Sequence, residues 1–316
     1  EWLARATRRA VSALAPDLVL YRAEFQPAES AIAWGLDRRA PAVGYHHHPF
    51  GRKYLQMQFT AAQLDDSLAE VPSRVARPLP DGLIAIGPVL ADHIVEGGYP
   101  RERVSVCGPQ RYGPLMRYRR EKPSQAALRE KLGIEPEAFV VVVALAIVES
   151  DTEALFGSLV GGCGDMDDMR IIVRTHPNRP EGDPALEAAL DALGRRRASL
   201  MPAQARIYDY IAAADCMVCV GSMIAFEAMA LGIMPVVVDN PSAFGAISLA
   251  EYDDGLFVVR NARELQAAIN EVRNAGPQAA ARRALWGAML GQVMGNLEQP
   301  LGEQLDTALA RFDRTA

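Results

Sequence analysis

Short apolar runs alternate with helix-patterned stretches along almost the whole chain, and no other feature limits the fold so strongly. Strand-like runs fall at residues 18–21, 42–45, 82–86, 104–107, 139–145, 170–173, 217–220, 234–238 and 256–259. Helical patterns lie between them at 27–37, 88–97, 124–132, 185–193, 207–213, 224–231 and 262–273, and the tail 279–311 reads as one or two helices. This alternation builds βαβ units around a parallel sheet. The longest apolar stretch, 139–148, is short and valine-rich, as a strand covered on both faces would be. The fold class expected is α/β with two Rossmann-like domains, and ligands are expected at the carboxyl ends of the strands.

A proline-rich segment, 71–81, reads as the linker between domains. The division expected is a partial amino-terminal domain at 1–75, a Rossmann-like domain at 76–278 and carboxy-terminal helices at 279–316. The first part offers only two strands, too few for a Rossmann-like domain, so it reads as short or incomplete.

Composition removes several classes of function. A net charge of −6 over 316 residues argues against a nucleic-acid partner. No run of eighteen apolar residues is present to span a bilayer, and residues 1–5 lack the plan of a secretion signal. Basic residues cluster at Arg117, Arg119 and Arg120 and at Arg195–Arg197. They read first as solvated surface and second as a peripheral contact with an anionic membrane. Cys107, Cys163, Cys216 and Cys219 sit in or near apolar segments. Buried thiols in a reducing, cytoplasmic setting are expected, with the inner face of a membrane as an alternative address.

Three stretches could carry chemistry. In 220–239 a strand ends at Val220, Gly221-Ser222 makes the turn, and a helix runs to Gly232. Free backbone N–H groups, a positive dipole end and a serine hydroxyl suit a phosphate there. Glu227, one turn further on, could accept from a ribose diol; the plainer reading makes Ser222 a helix cap and Glu227 a helix-face residue. A second strand delivers Arg174 and His176 to its carboxyl end, where Pro177 stops it. Both side chains can donate to phosphate oxygens. The third stretch, 203–208, is a loop whose amides could meet a nucleobase, with Tyr208 as a packing surface.

The order of these pieces resembles the carboxy-terminal domain of GT-B glycosyltransferases. The pieces are His176-Pro177, the Tyr208-Asp209 loop, Ala213-Ala214-Asp215, and Gly221-Ser222 followed by Glu227-Ala228, Gly232 and Pro235-Val236. More narrowly they resemble bacterial surface-carbohydrate enzymes that use CMP-sugars, the Kdo transferases and polysialyltransferases. The resemblance implies that His176-Pro177 and Ser222 bind the nucleotide, although the family's serine motif often has two serines where this chain has Gly221-Ser222. It also implies that Gly87, Gly108 and Arg111 line the nucleotide-sugar site as the first βαβ unit of that domain. The stretches Tyr21–Glu24 with Glu29, and Gly44–His47, resemble the acceptor-side domain more weakly.

The activity implied by this resemblance is a metal-independent, inverting transfer of a sugar from a nucleotide-activated donor, CMP-linked, to a surface-glycan or glycolipid acceptor, with no cofactor. An inverting enzyme needs a base for the acceptor hydroxyl. Glu24 is the first candidate and Glu29 the second, and His46, His47 or His48 could serve instead. No metal site is expected, because adjacent histidines on an extended chain point to alternating faces and no partner carboxylate spacing is evident. Competing readings are a CDP-glycerol-type polyol-phosphate transferase, a UDP-sugar 2-epimerase with acids in a full first domain, and a non-catalytic nucleotide-sugar-fold scaffold.

Overall fold

A computed structural model describes residues 1–48, 55–69, 78–108, 110–146, 148–164, 166, 168–176, 183–202, 204–240 and 249–312. The chain forms two compact units, 1–113 with 291–316 and 114–290.

The first unit carries α1 (Trp2–Leu14), β1 (Val19–Arg22), α2 (Pro27–Leu36), β2 (Ala42–Tyr45), α3 (Ala61–Leu68), β3 (Gly82–Ala85), α4 (Pro88–Glu96) and β4 (Val104–Val106). Its four strands lie in chain order and all pair in parallel. Parallel pairing demands crossovers, and the helices between the strands supply them. Proline-rich 71–81 leads into β3: the Asp81 amide donates to the Ala42 carbonyl at 2.7 Å, and the Asp81 carboxylate accepts from the Ala42 amide at 2.9 Å. The end of the expected linker thus lies against β2, and Gly82–Ala85 and Val104–Val106 belong to the first sheet; residues 71–77 lie outside the described residues. The expected boundary at residue 75 moves to residue 113, and the amino-terminal part has four strands where two were expected.

The second unit carries α5 (Gly113–Glu121), α6 (Gln125–Leu132), β5 (Phe139–Ala144), α7 (Glu149–Cys163), β6 (Met169–Arg174), α8 (Pro184–Leu193), β7 (Ala198–Leu200), α9 (Ile207–Ala213), β8 (Cys216–Cys219), α10 (Ile224–Ala230), β9 (Met234–Val238), β10 (Phe257–Val259) and α11 (Ala262–Arg273). Its parallel sheet has the order β10-β9-β8-β5-β6-β7. Chain order reverses direction at β5, which pairs with β6 on one side and β8 on the other. Val140–Val143, Met217 and Val218 have no exposed surface. Each buried aliphatic side chain of this kind contributes about 1.5–3 kcal/mol relative to exposure. Asp215 clamps the amino-terminal end of this sheet. Its Oδ2 accepts from Arg129 Nη2 and from the Val140 amide, both at 2.7 Å. The Ala-Ala-Asp motif thus lies at the strand end opposite the ligand edge, where it holds the sheet together.

The tail does not form a unit of its own. Helix α12 (Pro277–Met294) begins in the second unit, and the chain rejoins the first at Gly291. There α13 (Leu301–Leu309) and Phe312 cover the first sheet: Ala308, Leu305, Leu309 and Phe312 pack with Val43, Ile84 and Cys107. A Cβ on Gly82 would sit 2.1 Å from the Phe312 ring.

Among the described residues no helix is long and apolar enough to cross a membrane. All four cysteines are free and buried. Cys216 and Cys219 are three residues apart on a strand and face opposite ways, so they do not converge on a metal. The basic cluster at 195–197 is largely paired within the chain. Arg195 pairs with Glu187 and Asp191, each at 2.6 Å, and Arg197 donates to the Met166 and Gly164 carbonyls, each at 2.7 Å, at the end of α7.

Candidate functional site

In the second unit the sheet register gathers the proposed anion-binding residues. Ala144 of β5 is level with Arg174 of β6 on one side and with Cys219 of β8 on the other. Strand spacing then sets Arg174 and Cys219 about 10 Å apart across β5. His176 lies two residues past Arg174, and Gly221-Ser222 lies two past Cys219. All emerge at the carboxyl edge beside the switch point, where open α/β sheets bind ligands. Arg174 and His176 are half-buried. The Arg174 carbonyl accepts from the Leu145 amide at 3.0 Å, which fixes the backbone just before His176. Pro177 lies outside the described residues, as does Ala203.

Gly221 adopts φ +41°, the left-handed region that favours glycine, and it is exposed. Ser222 Oγ accepts from the Ile224 amide at 3.4 Å, so the hydroxyl braces the start of α10 and its proton stays available to donate. The helix stops at Ala230, and Gly232 at φ +88° closes it. Glu227 is buried in the first turn of α10. Tyr208 is half-buried at the start of α9, its ring tilted 43° to that of Tyr118 with centroids 5.6 Å apart, and Arg206 covers Tyr118 at 4.5 Å. Asn240, just past β9, donates to buried Asp151 of α7 at 3.0 Å. That bond joins two turns at the same edge. Sequence reasoning missed it because partners 89 residues apart leave no local pattern.

Gly87, Gly108 and Arg111 lie in the first unit, not in the nucleotide domain where the resemblance put them. The two glycines have intramolecular explanations. A Cβ on Gly87 would stand 2.5 Å from the Val293 carbonyl oxygen, and one on Gly108 would stand 3.0 Å from Gln304 Oε1. The Gly108 amide donates to that same Oε1 at 2.8 Å. Both positions are small because the returning tail lies on them.

The carboxyl edge of the first sheet carries the acids and histidines. Glu29, at the third position of α2, accepts from Arg22 Nε at 2.6 Å and from the Glu24 and Gln26 amides at 2.5 and 3.2 Å. Three donors on one carboxylate make Glu29 a brace for the β1–α2 turn, and they argue against it as the base. In that turn Phe25 sits at φ +58°, a strained value for an aromatic residue. Its ring packs on Phe59 at 5.5 Å and His46 at 5.8 Å.

Glu24 is 8% exposed and pairs with His47 Nδ1. Burial pushes its carboxyl up, but the His47 hydrogen bond and the charges of His47, His48 and Arg22 outweigh that and hold it below the usual range. His46, offered as an alternative base, is 2% exposed, and burial pushes it down to about 3. It stays neutral, away from solvent. The histidine that meets Glu24 is its neighbour, His47. Strand parity carried the clue: His46 shares a face with Gly44, and His47 with Tyr45. The alternation then ends. The strand stops at Tyr45 and the chain bends at His48, which brings the His47 and His48 rings to 3.9 Å between centroids. Burial pushes His48 down to about 4, and exposed Arg111 places Nη1 3.5 Å from its Nε2.

No protein-family model matches the sequence, and no curated protein matches it. Solved structures do. HepE (Alr3699) from Anabaena in complex with UDP is 19% identical, with 96% of this chain and 82% of that one covered at TM-score 0.62. UDP-GlcNAc 2-epimerase from Neisseria meningitidis bound to UDP-GlcNAc is 13% identical, with 96% and 80% covered at 0.62. A glycosyltransferase from Rickettsia africae is 11% identical, with 99% and 81% covered at 0.63. At such identities the likeness establishes the fold, two Rossmann-like α/β domains of the GT-B type.

Proposed function

We propose, from the premise of a GT-B fold, that this chain is a nucleotide-sugar-dependent enzyme that transfers the sugar to a glycan or glycolipid acceptor with inversion. The observation that carries the reading is the register at the β6–β5–β8 edge, which delivers Arg174, His176, Gly221 and Ser222 to one switch point. Arg174 and His176 donate to the leaving phosphate oxygens, joined by the Ser222 hydroxyl, and exposed Gly221 lets the phosphate approach the backbone. The half-buried Tyr208 and the buried Glu227 complete the nucleotide pocket. In the first unit Glu24 is the base. The His47 ring nitrogen beside it orients the carboxylate. The bound ligands of HepE and the Neisseria epimerase favour a uridine nucleotide, whereas the serine and His-Pro motifs favour a cytidine one.

Calorimetric titration with UDP, UMP, CDP, CMP and GDP tests the site. We expect one pyrimidine nucleotide to bind tightly, with a loss of at least about tenfold, or 1.4 kcal/mol, in His176→Ala and in Ser222→Ala. Binding by none of the five, or binding unchanged in both variants, would refute the assignment. Preference for UDP would discard the CMP-sugar reading, and use of CDP-glycerol in place of a CMP-sugar, both of which release CMP, would point to the polyol-phosphate reading.

A sugar 2-epimerase is the second reading. The objection from sequence was an incomplete first domain without suitable acids. Four strands where two were expected, and the burial of Glu24, weaken it. UDP-GlcNAc incubated alone separates the two: an epimerase interconverts it, whereas a transferase leaves it intact until an acceptor is added.

A further inference from the structure

We infer that Glu24, His47 and His48 form a binding site for one divalent transition-metal ion of the zinc class, whose occupancy takes the Glu24 carboxylate out of service as a base. One ligand atom from each residue lies within 4.8 Å of the other two. A tetrahedral ion with bonds of about 2.0–2.2 Å holds its ligand atoms about 3.4 Å apart. Closing the set around an ion therefore takes side-chain shifts of about an ångström, with no movement of the backbone.

The backbone is well placed to stay still. The Glu24 amide is held by the Glu29 carboxylate at 2.5 Å, and the left-handed Phe25 turns the chain at the next residue. Phe25 is itself wedged between Phe59 and His46. His46 is anchored on the other side through its amide, which donates to the Ile84 carbonyl at 2.9 Å. His47 and His48 follow directly from that anchor. A ligand set carried on two braced turns of one sheet edge is the arrangement that holds coordination geometry.

The donor chemistry selects the ion. Two imidazoles and one carboxylate suit zinc, cobalt or ferrous iron, whereas magnesium and calcium prefer oxygen alone. Three protein ligands leave a fourth position for water or a ligand oxygen, as open zinc sites do. Without an ion, Glu24 and His47 pair with each other, and a bound cation competes with that pairing for both donor atoms. The Arg111 guanidinium near His48 opposes a second positive charge, so affinity falls below that of a closed four-ligand site.

The test uses the full chain, stripped with chelator and titrated with cobalt(II) by visible absorption, then with zinc by calorimetry. We expect one equivalent of cobalt with ligand-field bands and no thiolate charge-transfer band, displaced by zinc. Glu24→Gln and His48→Gln should each weaken uptake by more than tenfold, with the circular dichroism spectrum unchanged. His176→Ala should bind as the parent does. No uptake would overturn the inference. So would uptake unchanged in folded Glu24→Gln and His48→Gln, or a thiolate band pointing to the cysteines. His48 is only half-buried, so its variant keeps the test alive if Glu24→Gln fails to fold. The readout is metal binding rather than turnover, so it stands apart from the nucleotide titration.

Discussion

Gln304 should be among the residues on which the first unit most depends, although it is polar and near the end of the chain. It is 7% exposed. Its Oε1 accepts from the Gly108 amide at 2.8 Å, and its Nε2 donates to the Asn296 and Gln299 carbonyls at 2.6 and 2.9 Å. Gln304→Met keeps length and volume but strips all three bonds. A buried group left unpaired costs about 1–3 kcal/mol. The Gly108 amide is buried and bears that cost in full. Asn296 and Gln299 lie nearer solvent, so their carbonyls recover part of theirs from water. The expected loss is about 2–4 kcal/mol, or about 5–15 °C at about 2–4 °C per kcal/mol. Thermal and urea melts measure the loss, and amide exchange at Gly108 locates it. Exposed Glu303→Gln is the control and should lie within about 0.5 kcal/mol of the parent. A Gln304→Met protein with an unshifted melt and unchanged Gly108 protection would refute the view that this side chain fastens the tail to the sheet.

The buried neutral His46 makes stability fall with acid. Its folded pKa of about 3 lies below the unfolded value, so only the unfolded chain takes up the proton between about pH 6.5 and pH 3. Stability should drop by about 2 kcal/mol from pH 7 to pH 5 on this account, and urea melts of His46→Gln should show that slope removed. Gly87→Ala forces a Cβ against the Val293 carbonyl and should cost about 1–3 kcal/mol in the same melts. Asp215→Asn leaves the Arg129 guanidinium without its countercharge and should cost about 3 kcal/mol; a loss under about 1 kcal/mol would deny the clamp. In a transfer assay Glu24→Gln should lower kcat with little change in nucleotide affinity, and an equal loss of both would remove Glu24 from the base's role.

Much of the architecture was legible because it rests on local chemistry. Residues 42–45, 207–213, 234–238 and 262–273 match the elements found, since apolar periodicity and caps such as Asn261 act within a few residues. Gly232 was readable as a helix stop for the same reason. Helices α1, α3, α5 and α7 were not anticipated. α7, for example, holds three glycines and buries Asp151, Thr152 and Ser158 beside Leu155, Phe156 and Leu159, so its apolar periodicity is faint.

From sequence alone came the parallel α/β class, the strands that deliver Arg174, His176 and Ser222 to a ligand edge, and the acid-and-histidine edge near Glu24. These are properties of period, turn chemistry and strand polarity, which neighbouring residues settle among themselves. Tertiary structure alone decided the rest. It placed the boundary at residue 113, because only strand pairing shows which sheet β3 and β4 join. It put Gly87 and Gly108 under the tail, because that contact closes over some two hundred residues. It chose His47 over His46 as the partner of Glu24, and it turned Glu29 into a brace. Each of those outcomes depends on which groups remote parts of the chain bring within hydrogen-bonding distance, and no local pattern encodes that.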